Sequence, residues 1–146
     1  MATFNKFNDF AEQDAKGVHA FGTHTYKIAL TNTAPSAANT VLADITQITA
    51  ANGYTAGGTA IASMAVSESG GVATISGNSV TFTAAGGSIG PFRYGVMHND
   101  SATSPADALV GWWDYGSSIT LADTETFEWK PSNVSTGGTI LTKTVS

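Results

Sequence analysis

The chain has 146 residues, no cysteine and a net charge of −5. Disulfides and thiolate metal sites are therefore excluded, and a pI near 4.8 with only six scattered basic residues excludes a phosphate-binding surface, which needs clustered Lys and Arg. Only 12% of residues are charged, against about 25% in an average soluble domain, so the surface must consist largely of Thr, Ser, Asn, Gly and Ala. No stretch approaches the roughly 20 apolar residues of a membrane span. The opening Met1 to Lys6 lacks the apolar run of a secretory leader, and synthesis and residence in cytosol-like surroundings are expected. A chain of this length buries about 68–70% of its unfolded surface, and no repeat or composition break divides it, so one domain over 1–146 is expected.

The opening segment has the spacing of a helix, over about 4–16. Thr3 is a candidate N-cap, Phe4, Phe7, Ala11, Ala15 and Val18 recur at intervals of three and four, Phe10 widens the stripe, and Gly17 is a stop signal. The period then changes to two. Tyr26, Ile28 and Leu30 alternate with Lys27, Ala29 and Thr31, as in a strand with one buried face. From Asn32 to Gly58 an ordered connection with little regular structure is expected, with a short helical turn at Val41 to Ile45.

Short strand-like runs follow at 59–66, 72–75, 80–83, 92–96, 109–113, 119–121 and 126–129. Gly70-Gly71, Gly77-Asn78, Asp114-Tyr115-Gly116 and Ala122-Asp123 divide several of them. Such spacing with Gly-rich turns predicts a mainly β fold, an antiparallel β-sandwich or barrel with one N-terminal α-helix. The tail 131–146 is expected to be flexible, holding one more strand at 139–142 that orders against a partner.

No pattern of catalytic residues emerges. His19, His24 and His98 share no metal-ligand spacing, so no metal site is assigned. Asp9, Glu12 and Asp14 decorate the polar side of the predicted helix. There is no Gly-x-Ser-x-Gly elbow, and the glycine pairs at 57–58 and 86–87 lack the lysine of a phosphate loop. No catalytic residue and no cofactor is predicted, and the chain is read as a non-enzyme.

The most distinctive string is Gly111-Trp112-Trp113-Asp114-Tyr115-Gly116. Adjacent tryptophans on a strand point to opposite faces, so one enters the core while the other meets solvent, a sugar or a protein neighbour, with Tyr115 on the face of Trp113. Phe4, Phe7, Phe10, Trp112, Trp113 and Tyr115 are the candidate protein-interface residues.

Several strings together resemble a family of small virion structural proteins of tailed bacteriophages. They are Phe4-Asn5-Lys6-Phe7 with Asp9-Phe10, Lys27 to Pro35, Asn52 to Gly58, Gly87 to Tyr94, and Gly111 to Leu121. The resemblance implies a head decoration or cement protein on the capsid exterior, present in the host cytoplasm during assembly. Its implied partners are the major capsid protein and copies of itself, in a homotrimer, with no nucleic acid and no membrane. A tail or fibre-associated structural protein is the alternative, and a carbohydrate-binding module around Trp112, Trp113 and Tyr115 is a third reading.

Overall fold

A computed structural model describes residues 2–145; Met1 and Ser146 lie outside it. The chain runs β1 (Thr3–Lys6), α1 (Asn8–Ala15), β2 (Tyr26–Thr31), β3 (Thr59–Ala60), β4 (Ala65–Ser69), β5 (Val72–Gly77), β6 (Val80–Thr83), β7 (Ile89–Asn99), β8 (Leu109–Leu121), β9 (Thr126–Trp129) and β10 (Gly138–Thr144). The fold is mainly β, sandwich-like, with antiparallel sheets and one helix near the N-terminus. A five-stranded sheet has the order β1-β8-β7-β2-β3, and a three-stranded sheet β10-β5-β4 and a two-stranded sheet β6-β9 accompany it.

Strands β7 and β8 form the centre of the large sheet, and their pleat sends neighbouring side chains to opposite faces. On one face Phe92, Met97, Val110 and Trp113 join Tyr26, Ile28 and Leu30 of β2. Ile75, Phe82, Trp129 and Leu141 from the smaller sheets close this main core. On the other face Val96 and Leu109 pack with Phe7 and Ile45, edged by Leu42 and Trp112. The sheet is thus covered on both sides. That is why Ala29 and Thr31 of β2 are as buried as Ile28 and Leu30, although strict alternation predicts one exposed face.

The second cover is the connection after β2, which has little regular structure, as its composition suggests. A short 3-10 turn at Leu42–Asp44 and a return alongside β2 hold it in place, through Ile48 N–H to the Leu30 carbonyl (3.1 Å). Gln47 accepts hydrogen bonds from the Tyr54 hydroxyl and the Gly57 N–H, both at 2.7 Å. Tyr54 in turn receives the Leu30 N–H at 3.1 Å. At Gly58, with φ +83°, a Cβ atom would sit 1.8 Å from the Ile28 carbonyl oxygen, so this turn presses its backbone directly onto β2.

Four departures from the sequence reading have physical causes. Residues 3–6, expected as the first helical turn, are the edge strand β1, paired Phe4 opposite Trp113 and Lys6 opposite Gly111. The Phe4 ring lies 4.4 Å from Trp113, over Gly111, where a Cβ would stand 2.5 Å from the Phe4 ring. Pairing with β8 satisfies backbone groups that an isolated helical turn would leave open, and in an extended chain Phe4 and Phe7 reach opposite faces. The helix begins only at Asn8, and Ala11 and Ala15 are exposed.

The run 59–66 splits, with β3 and β4 in different sheets and Ser63 between them at φ +55°. Runs 109–113 and 119–121 fuse into β8, because Asp114-Tyr115-Gly116 is a bulge and not a break. Tyr94 pairs with Asp114 and Phe92 with Ile119, so Arg93 alone stands opposite four residues, and Gly116 at φ +88° lets the chain loop out.

The tail, expected to be flexible, is built in: β10 pairs with β5 over Gly138–Thr144. A register shift between Thr139 and Leu141 turns both Ile140 and Leu141 inward, and both are buried. Beyond them Lys143 reaches back to both carboxylate oxygens of Asp14 on α1 at 2.8 Å.

Gly58→Ala is expected to cost more than about 2 kcal/mol, because strain and a backbone collision add. Gly86→Ala, where φ is +79° but the space is open, should cost only about 1–2 kcal/mol of left-handed strain. Urea denaturation of the two variants measures the difference, and equal losses would show that the approach of residue 58 to β2 is unimportant.

Candidate functional site

The six predicted interface residues divide. Phe7, Phe10 and Trp113 are 2%, 7% and 6% exposed, so they belong to the chain's own core and are corrected as contact residues. Phe10 is part of an aromatic stack in which Phe21 lies 4.8 Å from Tyr26 and Phe10 lies 5.1 Å from His19. Trp113 is held edge-on against Trp129 at 4.9 Å and 79°, with Phe4 on it as described. Phe4, Trp112 and Tyr115 are half-buried. Trp112 leans on Phe7 at 4.6 Å, while Tyr115 meets Phe127 edge-to-face at 4.9 Å on the other side of the sheet. Trp112 therefore shares no surface with Trp113 and Tyr115, and the three rings do not form one sugar-stacking platform.

A cleft of about 510 Å³ opens beside this string, lined by Trp113, Asp114, Tyr115, Glu128, Lys130 and Asn133 among others. Its two carboxylates are already committed. Asp114 takes a two-pronged hydrogen bond from Arg93, Nε at 2.8 Å and Nη2 at 3.1 Å, and a third from the Gly116 N–H at 2.8 Å. This clamp fastens the β8 bulge to β7. The Arg93 guanidinium first, and the Gly116 amide second, hold the Asp114 carboxyl below its usual range. Glu128 accepts from the hydroxyls of Ser79 and Ser135, which likewise keep its carboxyl low, with Lys130 adding to the effect. A general acid requires the opposite, a carboxyl raised toward neutral pH, so these two are poised as anions that brace loops.

The histidines lie at one end of the large sheet. Asn99, fully buried, directs its side-chain nitrogen at the Val18 carbonyl (3.2 Å), His24 Nδ1 (3.0 Å) and His19 Nδ1 (3.3 Å). It thereby ties the end of β7 to the segment after α1. His19 Nε2 is buried without a hydrogen-bond partner among the described residues. Burial, the largest influence, pushes the His19 ring down to about 4. It also lowers His98, the histidine that the fold brings beside Asp100 and Asp107.

No protein-family model, no curated protein and no solved structure matches the chain.

The surface feature that stands apart is the sheet β10-β5-β4. All five residues of β4 are exposed, and β4 has β5 on one side only, its outer edge being unpaired among the described residues. Val66 is 50% exposed and Val145, beside the Gly70-Gly71 turn, 82%. The single charge of β4, Glu68, folds back to accept the Gly71 N–H at 2.9 Å. Sequence reasoning reached only Ala65 and Val66 of this strand, as the end of the run 59–66, because Ser67-Glu68-Ser69 has the composition of a loop and only pairing with β5 reveals the rest.

Acid should weaken the fold through His19. An unfolded histidine takes up a proton near 6.5, so with a folded value near 4 this group's contribution is whole above about 6.5. It is lost as the pH falls toward 4, by on the order of 2–3 kcal/mol. Denaturation midpoints at pH 7 and pH 4.5 are expected to lie closer together in His19→Asn than in the parent. An undiminished gap would assign the acid sensitivity to other groups.

Proposed function

We propose that this chain is a bacteriophage head decoration subunit that binds the outside of the capsid and bridges neighbouring major capsid proteins. The observation that carries the reading is the exposed, unpaired strand β4. A sheet edge ordinarily defends itself with lysine, proline or a bulge. Among residues 65–69 there is no lysine and no proline, the pairing with β5 is regular throughout, and the one carboxylate is turned to the hairpin end. Such an edge suits a strand contributed by another protein, with main-chain hydrogen bonds supplying affinity.

Physical chemistry favours this role in two further ways. The two-sided core makes the scaffold rigid, and a clamp that fits the assembled shell better than its separated parts adds stability by mass action at every repeated site. The low charge suits a surface destined for contact, since charged residues are depleted at interface cores. The committed carboxylates of the cleft favour a non-enzymatic reading. The capsid exterior is the proposed location, with the major capsid protein and two further copies of the chain as proposed partners.

Purified protein should co-sediment with expanded capsids of its phage and raise their resistance to heat. Val66→Lys is expected to weaken that binding by about ten-fold or more, as loss of a significant contact does, while thermal unfolding of the free subunit changes by no more than about 0.5 kcal/mol. Absence of binding to capsids, or a density map that places the subunit at the tail, would make the decoration role wrong.

A further inference from the structure

The histidine at the end of β7 carries a different consequence. His98 has no exposed surface. Its Nε2 stands 2.8 Å from the Gly57 carbonyl oxygen, and a carbonyl only accepts, so Nε2 holds the ring proton and donates it. That fixes the tautomer. Nδ1 is left with a lone pair and, though buried, has no hydrogen-bond partner among the described residues. What it faces is another acceptor, the Asp107 carboxylate, with Oδ1 at 3.9 Å. Two residues beyond His98, in the turn that follows β7, Asp100 brings a second carboxylate. One ligand atom from each of the three lies within 4.8 Å of the others. A buried lone pair directed at carboxylates is unfavourable unless something positive stands between them.

We propose that His98 Nδ1, Asp100 and Asp107 bind a divalent transition-metal ion of the zinc class, which fastens the β7–β8 loop to the sheet. The donor set decides the class. A neutral imidazole with two carboxylates suits zinc or manganese, whereas calcium and magnesium prefer oxygen throughout. The outer contact matches as well, because a metal-bound histidine characteristically donates its other N–H to a carbonyl or carboxylate, as His98 does to Gly57.

A tetrahedral ion with bonds of about 2.0–2.2 Å holds its ligands roughly 3.3 Å apart, so the carboxylates must close in by about an ångström. They are free to do so, since the Asp100 and Asp107 side chains are 39% and 40% exposed while the ring is fixed. Their backbones are pinned: Asp100 N–H donates to the Thr25 carbonyl at 2.9 Å, Asp107 N–H to Ala102 at 3.2 Å, and Leu42 N–H to the Asp107 carbonyl at 3.0 Å. Lys27, opposite His98 in the β2–β7 register, places Nζ 3.3 Å from Asp100 Oδ2 and must swing away. Its competition makes the site a moderate one, and the remaining coordination positions belong to water. The ion would be present whatever the subunit assembles with.

The full chain, stripped with a chelator and dialysed, tests this. Zinc is expected to bind at one ion per chain and raise the unfolding temperature, and cobalt in its place should give visible d–d absorption. Asp107→Asn, nearly isosteric and partly exposed, should fold and lose at least ten-fold in zinc affinity, and Asp100→Asn should do the same. Nitrogen NMR should show the His98 Nδ1 resonance shifting on addition of zinc. No saturable zinc binding, binding undiminished in both aspartate variants, or tighter binding of calcium than of zinc would each overturn the proposal.

Discussion

Pairing of β7 with β8, strands of 11 and 13 residues, makes a long antiparallel ribbon on which the other elements dock. Because the pleat alternates, Trp112 and Trp113 leave this ribbon in opposite directions, and each gathers a hydrophobic cluster. Trp113 meets Trp129 and Phe4, and Trp112 meets Phe7. The edge strand β1 with Phe7 just after it serves both clusters, Phe4 the first and Phe7 the second, and the connection after β2 closes the lesser face. Interference with the ribbon's register would therefore disturb two cores together, since a slip of one residue exchanges the faces of every side chain. The Arg93–Asp114 clamp sits at the place where that register is least regular, the bulge of β8.

The few charges present are used inside the subunit. Five of the six basic side chains lie against a carboxylate among the described residues: Lys16 with Glu12, Lys27 with Asp100, Arg93 with Asp114, Lys130 with Glu128 and Lys143 with Asp14. Little positive charge remains to attract a polyanion. Exposed pairs of this kind contribute little each, but several link distant parts of the chain, above all Lys143, which also lies 5.4 Å over the Phe21 ring and joins the C-terminal strand to the aromatic stack beneath α1. Stability rests on packing and main-chain hydrogen bonds, and the exposed surface carries few charges, with a net −5. The β4 edge, unpaired among the described residues, and the proposed cation at the end of β7 fit one physical picture, a stiff subunit whose loops are tied down and whose free edge is kept for a partner.

Much of the fold was legible from periodicity. The β2 alternation, the Gly-divided runs and the opposed tryptophans each follow from local geometry that a sequence displays directly. The mainly β architecture with one helix follows from them. Where the reading departed, the deciding force was non-local. Phe4, Phe7 and Phe10 repeat at three, a spacing that suits a helix, yet pairing with β8 pulls the first of them into a strand. The tail from Pro131 has the composition of a linker, but β5 offers an edge and the core offers space for Ile140 and Leu141.

The candidate site shows the same division. By itself the sequence determined that there are no thiolates, that basic charge is sparse and that Trp112 and Trp113 must face apart, because composition and the two-residue pleat are properties of the chain alone. Which aromatic rings end up covered, and that β4 has no outer neighbour and the His98 nitrogen facing Asp107 no hydrogen-bond partner among the described residues, were decided only by tertiary structure. Those outcomes depend on which segments, distant in sequence, compete for the two faces and the edges of one sheet.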